Sequence, residues 1–147
     1  MKRSLFVVGM SALLVMTWSI GRFQGQQEVR ADGKIIFASP DKANYVSMSP
    51  IVSWAPLWGD TTKGAHGTFT KFAPGADNGM HTHTNDVWIV GIKGAYLYKD
   101  EDGEKRVGPG VFLRVPGGKK HWSGGDPKEG AVFYEEASGK FDSIPAK

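Results

Sequence analysis

The chain has 147 residues, and none of them is cysteine. This absence excludes disulfide bridges, thiol nucleophiles and zinc sites built from thiolates. Histidine, aspartate and glutamate remain as the side chains that could hold a metal ion. Histidine is itself scarce, with four residues in the chain, so the positions of the histidines carry more information than their number.

Helical periodicity is also missing. Beyond residue 31, no long window shows the apolar spacing of an amphipathic helix. Short apolar and aromatic runs alternate with Gly, Pro and Asp turns, and the chain contains 20 glycines. This mixture favours an all-β barrel over a helical bundle. The length suits one domain of ordinary size, and no internal repeat indicates a duplicated barrel.

The runs that predict strands are rich in β-branched or aromatic residues and end at turn-forming residues. They cover residues 34–38, 44–48, 51–55, 65–72, 87–92, 95–99, 105–107, 111–115 and 131–135. We therefore predict a single domain over residues 32–147, with the barrel running from about Ile35 to Phe141 and almost no helix.

The N-terminus has the features of an export signal. Lys2 and Arg3 precede an uncharged apolar run from Ser4 to Ile20. Such a segment is typical of a secretory signal, although its length also approaches that of a membrane-spanning helix. We predict that residues 1–31 are a cleaved signal peptide or a retained membrane anchor, with a buried core helix as the least favoured alternative. Both favoured interpretations place the domain outside the cytoplasm, in the periplasm or extracellular space.

The formal net charge of +3 comes from this leader. From Ala31 onward, basic and acidic side chains are equal in number. The high isoelectric point therefore gives no argument for nucleic acid or an anionic membrane surface as a partner. We expect a small-molecule ligand or substrate, no nucleic acid, and membrane contact only through an uncleaved N-terminal segment. A homodimer is left open.

Three of the four histidines lie in two glycine-punctuated stretches. These read Gly75-x5-His81-x-His83 and Gly110-x5-Pro116-x-Gly118-x2-His121. Because side chains alternate along a strand, His81 and His83 are expected to point the same way. A turn and a returning strand can bring His121 opposite them. Three converging imidazoles with open positions form a site that suits Fe(II), Mn(II), Ni(II), Cu(II) or Zn(II).

The two stretches closely resemble the sequence motifs of the cupin superfamily. The family patterns are G-x5-H-x-H-x3,4-E-x6-G and G-x5-P-x-G-x2-H-x3-N. Eight of the ten fixed positions match, and both internal spacings hold. The resemblance covers roughly residues 65–136. It implies a jelly-roll barrel, also described as a double-stranded β-helix, and a divalent metal ion held by His81, His83 and His121.

Two positions depart from the family pattern. Val87 stands where the family has a glutamate ligand, and Gly125 stands where it has an asparagine. Valine cannot bind a metal, so the site is either three histidines plus water, or it recruits Asp86, one residue earlier. Asp86 would face inward only through a β-bulge or an irregular strand start. We expect Asp86 to be a turn residue.

Four further residues are candidates for a ligand pocket, because small barrels can hold one small ligand. They are His66, Trp88, Tyr96 and Trp122. Trp122 directly follows His121 and is the first choice for the pocket rim, whereas an exposed turn is the favoured place for His66. Alternation puts only one of Glu135 and Glu136 on the inner face, and which one is left open.

The resemblance implies functions of different classes. One is an exported metal-dependent enzyme, with dioxygenase chemistry on a redox-active ion or isomerase or lyase chemistry on a Lewis acid. In that enzyme the missing glutamate leaves no obvious general base, so Asp86 or a metal-bound hydroxide would have to take that role. The second is a non-catalytic module that binds a small molecule or a metal, and the third is an accessory protein that acts through a partner at the membrane. Resemblance of fold does not separate these functions.

Overall fold

The structure, a computed structural model, describes residues 33–147. Within this range the chain forms β-strands and turns and contains no helix, and so none that could span a membrane. The predicted leader, residues 1–31, lies outside the described residues. The prediction of an all-β fold is confirmed.

Eleven strands make up the described chain. They are β1 (Val46–Ser49), β2 (Val52–Gly59), β3 (His66–Phe72), β4 (Asp77–Thr82), β5 (Val87–Gly94), β6 (Tyr96–Asp100), β7 (Gly103–Val107), β8 (Phe112–Val115), β9 (His121–Gly125), β10 (Ala131–Ala137) and β11 (Ile144–Pro145). Most predicted runs fall on these strands. The exception is the run at residues 34–38, which pairs with no strand. Ile35 and Phe37 in it are 94% and 101% exposed, which shows that β-propensity without a sheet edge to join does not produce a strand.

The strands form two antiparallel sheets. The larger sheet has the order β1-β2-β3-β10-β5-β8, and the smaller has the order β11-β4-β9-β6-β7. β10 lies inside the larger sheet, between β3 and β5. Its residues alternate between buried and half-buried along the whole strand, so one face of β10 lines the barrel interior.

Aromatic side chains fill the interior between the sheets. Phe133 on β10 is fully buried, and its ring makes edge-on contacts with Phe72 on β3 and Tyr96 on β6 at 5.0 and 5.1 Å between centroids. Burial of one such side chain contributes about 2–3 kcal/mol. These contacts join the two sheets.

The glycines of the two motifs hold the turns between strands. The four fixed ones, Gly75, Gly94, Gly110 and Gly118, all have positive φ. At Gly94, with φ of 62°, a Cβ would also lie 2.2 Å from the carbonyl oxygen of Gly130. Only glycine fits there without moving the backbone, which explains in steric terms why the motif has glycine at this position.

Candidate metal centre and adjoining cavity

The pairing of β4 with β9 brings two of the motif histidines together. His81 lies directly opposite His121 in the register, and their ring centroids are 4.3 Å apart. His83 follows the last residue of β4, with its ring 4.9 Å from His81 and 5.3 Å from His121. One nitrogen of each ring lies within 4.8 Å of the others. The returning strand predicted from the sequence is therefore β9.

Backbone carbonyls orient all three imidazoles. In each ring Nδ1 lies within hydrogen-bond distance of a carbonyl oxygen. The pairs are His81 with Gly79 at 2.9 Å, His83 with Asp142 at 2.5 Å, and His121 with Lys119 at 2.9 Å. A carbonyl oxygen only accepts, so Nδ1 carries the proton and Nε2 of a neutral ring keeps its lone pair. This is the arrangement by which proteins prepare histidine for a metal.

Burial favours the neutral form of two of the imidazoles, those of His83 and His121. His121 is fully buried, and burial lowers its pKa to about 4. Burial also lowers the pKa of His83. The ring of Tyr98 stacks on His121 at 5.2 Å and restricts its rotation. Neutral donors held in fixed orientations are what a divalent ion requires at neutral pH.

One ring nitrogen in this cluster is buried without a hydrogen-bond partner among the described residues. Nε2 of His121 is buried and makes no hydrogen bond within residues 33–147. Such an unsatisfied buried atom costs about 1–3 kcal/mol. A bond to a metal ion would remove that cost, so the three histidines fit a transition-metal ion both by donor type and by orientation.

The two departures from the family pattern have different structural settings. Val87 begins β5, is 4% exposed, and lines the same cavity as His81 and His83. It therefore presents an apolar wall where the family has a glutamate. At Gly125, a Cβ would lie 2.7 Å from the carbonyl oxygen of Ala73, so an asparagine would require the backbone to shift.

Asp86 is a turn residue whose carboxylate is used elsewhere. Its Oδ1 accepts from the Gly117 N–H at 2.8 Å, and its Oδ2 accepts from Arg114 Nη2 at 2.6 Å and Nε at 3.2 Å. These bonds, that to Gly117 first, lower the pKa of Asp86. The histidine cluster does not include it among the residues described. Asp86 instead ties the turn before β5 to the loop that leads into His121.

The C-terminal segment orients His83, a role that the sequence motifs do not reveal. Besides the carbonyl that binds His83, Asp142 accepts from the Thr84 N–H at 2.8 Å and from Thr84 Oγ1 at 2.6 Å through its carboxylate. The Phe141 ring lies 5.5 Å from the His83 ring. Because Asp142 is remote in sequence, only the folded chain shows the connection.

A cavity of about 370 Å3 opens beside His81 and His83. Most of its wall is apolar, and the side chains that form it include Val52, Trp54, Phe72, Val87, Ile89, Val115 and Phe141. Its polar side chains include Thr70, Asn78, Tyr96, Ser123 and Glu135. Among the described residues that line it, there is no lysine or arginine.

Tyr96 lines this cavity as expected, but both candidate tryptophans lie on the outside. Trp88 sits between Val87 and Ile89, two inward side chains of β5, so alternation turns it outward. Trp122 likewise follows the inward His121, and its indole N–H donates to Asp77 Oδ1 at 2.7 Å. The expectation that Trp122 forms the pocket rim overlooked this alternation.

His66 is not in an exposed turn. It is the first residue of β3 and is 1% exposed, so the prediction for it was wrong. Its Nδ1 lies 2.9 Å from the Gly64 carbonyl oxygen, and its Nε2 has no partner among the described residues. It does not line the cavity beside His81 and His83.

Glu135 is the inward member of the pair of glutamates that the sequence left open. It is 7% exposed and lines the cavity, whereas Glu136 points outward and accepts from the Tyr134 hydroxyl at 3.1 Å. The Oε1 atom of Glu135 has no hydrogen-bond partner in the described part of the chain, and burial raises the pKa of the Glu135 carboxyl to about 7. Both faces of β10 carry apolar residues, so its sequence does not show which face is buried.

The fold and the histidine cluster together define a two-sheet β-barrel protein with a ligand set for a transition metal. The family description "Cupin domain" matches residues 68–135. This match, together with the likeness of the fold to solved cupins, supports membership of the cupin superfamily. No curated protein matches the sequence well enough to count as a relative.

Solved structures with the same fold are distant in sequence. KdgF from Halomonas sp. is 18% identical with a TM-score of 0.58, over 69% of this chain and 93% of that one. The polyketide cyclase RemF from Streptomyces resistomycificus is 16% identical with a TM-score of 0.63, over 78% and 87%. An RmlC-like cupin from Shewanella frigidimarina is 14% identical with a TM-score of 0.57, over 71% and 92%. At these identities the likeness establishes the fold alone.

Proposed function

We propose that the protein is an exported, metal-dependent cupin enzyme that acts on a small molecule bound in the cavity beside His81 and His83. The observation that carries the proposal is the common orientation of the three imidazoles. Each Nδ1 is engaged by a carbonyl, which leaves three Nε2 lone pairs in one cluster. Three such lone pairs that converge from separate histidines form a donor set for a transition-metal ion, whereas the isolated His66 offers only one.

The histidines would hold one divalent transition metal ion, of Fe, Mn, Ni, Cu or Zn. When bound, the ion would supply Lewis-acid or redox chemistry at the edge of the cavity. Three protein ligands leave coordination positions open for water or substrate. Val87 adds no charge to the set, which makes a harder ion such as Mn(II) less favoured than it would be with the family's glutamate.

Glu135 favours an enzyme over a passive binding module. The sequence offered Asp86 or a metal-bound hydroxide as the general base, and the carboxylate of Asp86 is engaged by Arg114 and Gly117. Glu135 instead places an ionisable carboxyl in the cavity, and its pKa of about 7 suits proton transfer near neutral pH. One of the proteins that share the fold, RemF, is a polyketide cyclase, an enzyme acting on small organic molecules.

The export part of the proposal depends on the leader alone. The charged Lys2 and Arg3, followed by the uncharged run to Ile20, support a signal peptide or a retained anchor. Fractionation of cells that express the full chain tests it. Recovery outside the cytoplasm is expected, and a full-length protein that stays in the cytoplasm would contradict it.

The enzymatic part is tested by metal analysis followed by turnover. Protein purified without chelators is analysed for metals, and then screened for oxygen uptake and for product formation by mass spectrometry with small phenols and ketones. The Glu135→Gln variant is compared with Glu136→Gln, which alters the outward neighbour. Turnover that Glu135→Gln alone abolishes supports the enzyme. A tightly bound molecule that is never converted would favour the non-catalytic module.

A further inference from the structure

We propose that Glu135 and the side chains of Asn78, Ser123 and Tyr96 form a subsite for a neutral, mostly apolar molecule with a hydroxyl or carbonyl group. The inference names the substrate class of the proposed enzyme and rests on that function only in identifying this ligand as a substrate. The subsite itself is built from protein side chains and does not require a metal.

The first argument is that Glu135 is buried without a partner. Its Oε1 makes no hydrogen bond among the described residues, although the side chain is 7% exposed. On β3, Thr68 lies directly opposite Glu135, but its hydroxyl is paired with Thr70 at 2.9 Å. A buried polar atom without a partner is costly, and here it faces a cavity rather than packed protein. A ligand with a hydrogen-bonding group would satisfy it.

The second argument is a polar chain on the smaller sheet. Asn78 Nδ2 donates to Ser123 Oγ at 3.2 Å, and Tyr96 lines the same cavity as both. Burial raises the pKa of the Tyr96 phenol, and the nearby Glu135 carboxyl adds to that rise. Polar groups from both sheets therefore line one cavity whose wall is mostly apolar, and they restrict where the polar group of a ligand would lie.

The third argument is charge. No lysine or arginine is among the described residues that line the cavity, whereas a carboxyl is. An anionic group placed in the subsite would find no lysine or arginine there and would face Glu135 at low dielectric, which is unfavourable. Burial raises the pKa of Glu135 to about 7, so near neutral pH the carboxyl can donate as well as accept. Both properties match a neutral hydroxyl or carbonyl group.

The fourth argument is the shape of the apolar wall. Trp54, Ile89 and Phe141 border the cavity, and the Trp54 and Phe141 rings contact each other at 4.8 Å. The cavity volume of about 370 Å3 is at the low end of the range for small-molecule sites. A ligand of one or two rings therefore fits better than a sugar chain or a peptide.

The test is calorimetric titration of the full chain with two probes of the same ring system, 2-naphthol and 2-naphthoate, at neutral pH. Each titration is done with protein stripped by chelator and with protein reloaded with Zn(II). Metal-free wild type is expected to bind 2-naphthol at least about tenfold more tightly than 2-naphthoate. Glu135→Leu should weaken 2-naphthol by about tenfold, the effect of one hydrogen bond.

Two variants complete the experiment. Glu135→Gln keeps a donor and an acceptor and should retain most of the 2-naphthol affinity, while Glu136→Gln should bind like wild type. Glu135→Leu is expected to fold, because replacing a buried, unpaired carboxyl with a hydrocarbon side chain removes a desolvation cost. Circular dichroism verifies this for each variant.

Equal binding of the two probes by wild type, or unchanged 2-naphthol binding by Glu135→Leu, would overturn the subsite. The metal-free arm separates this failure from that of the proposed enzyme. Binding that depends on Glu135 in a protein that never holds metal would support the subsite and count against the enzyme. Metal binding that depends on the histidines, together with 2-naphthol binding that does not change in Glu135→Leu, would support the enzyme and overturn the subsite.

Discussion

Val87 on β5 lies directly opposite Val115 on β8, and both side chains are buried, at 4% and 2% exposed. The pair closes the side of the histidine cluster where the superfamily has a glutamate. Both valines also line the cavity, so the site is a set of neutral imidazoles beside an apolar wall.

Replacing Val87 with the family's glutamate should lower the stability of the metal-free protein and raise its affinity for metal. In Val87→Glu without metal, the carboxylate would be buried and unpaired, which should destabilise the fold by roughly 2–4 kcal/mol. With metal it should become a fourth ligand, raise affinity and shift preference toward harder ions such as Mn(II). Thermal unfolding with and without metal measures both effects. The control is Val87→Gln, because glutamine has nearly the same shape as glutamate but no charge. Mn(II) binding that is no tighter in Val87→Glu than in Val87→Gln would contradict the prediction.

Asp86→Asn should leave metal affinity unchanged. The asparagine oxygen can still accept from the Gly117 N–H, and the loss is confined to the ion pair with Arg114 on the surface. We expect a small decrease in stability that becomes smaller at high salt, because exposed ion pairs are screened. Metal titration of variant and wild type provides the measurement. An affinity loss as large as that of a histidine variant would mean that Asp86 is a ligand after all.

Asp142→Ala should weaken metal binding without abolishing it. The carbonyl that binds His83 remains, but the carboxylate no longer holds Thr84, so the His83 ring becomes less well oriented. A decrease in affinity of up to about tenfold is expected, near the low end for groups that orient metal ligands. Asp102→Ala, in the exposed β6–β7 turn, is the matched control. Equal affinities of the two variants would show that the C-terminal segment does not orient the site.

The pH dependence of the metal-free protein should contain two opposing contributions. His121, with its pKa lowered to about 4, stabilises the fold above the unfolded value of about 6.5, and this is lost as pH falls toward 4. Glu135, with its pKa raised to about 7, has the opposite sign: its contribution is full below about 4.5 and is lost as pH rises toward 7. Between pH 4.5 and 6.5 the two partly cancel.

Glu135→Gln should remove the contribution of Glu135 to the pH dependence of stability and leave that of His121 unopposed. Its free energy of unfolding is expected to rise more steeply between pH 4.5 and 6.5 than that of wild type, by roughly 2–3 kcal/mol at most across the window. Urea unfolding at several pH values measures the slopes. Other carboxylates such as Asp126, whose hydrogen bonds lower its pKa to about 2, cancel in the difference between variants. Parallel profiles for Glu135→Gln and wild type would show that Glu135 is not buried as described.

Short-range patterns predicted the fold well because they record local physics. The motif glycines predicted the turns, since their positive φ values suit glycine, and His81 and His121 were expected on facing strands. Sequence patterns did not predict the positions that tertiary packing decides. We expected Trp122 at the pocket rim and His66 in an exposed turn, although pairing of β3 with β2 and β10 buries His66.

Other parts of the site depend on contacts between residues distant in the chain. Which face of β10 is buried, and therefore the role of Glu135, is decided by its register with β3 and β5. The hydrogen bond between His83 Nδ1 and the Asp142 carbonyl oxygen likewise connects positions 59 residues apart. A two-residue strand such as β11, which contains a proline, has almost no signal of its own.

The measurement that tests the central claim most directly is the metal content of purified full-length protein in which single histidines are replaced by alanine. His81, His83 and His121 are changed one at a time, and His66, an equally buried histidine outside the cluster, is the control. We predict about one divalent transition metal per wild-type chain, near-complete loss in the three cluster variants, and retention in His66→Ala. Unchanged metal content in His83→Ala, or equal loss in His66→Ala, would contradict the three-histidine centre.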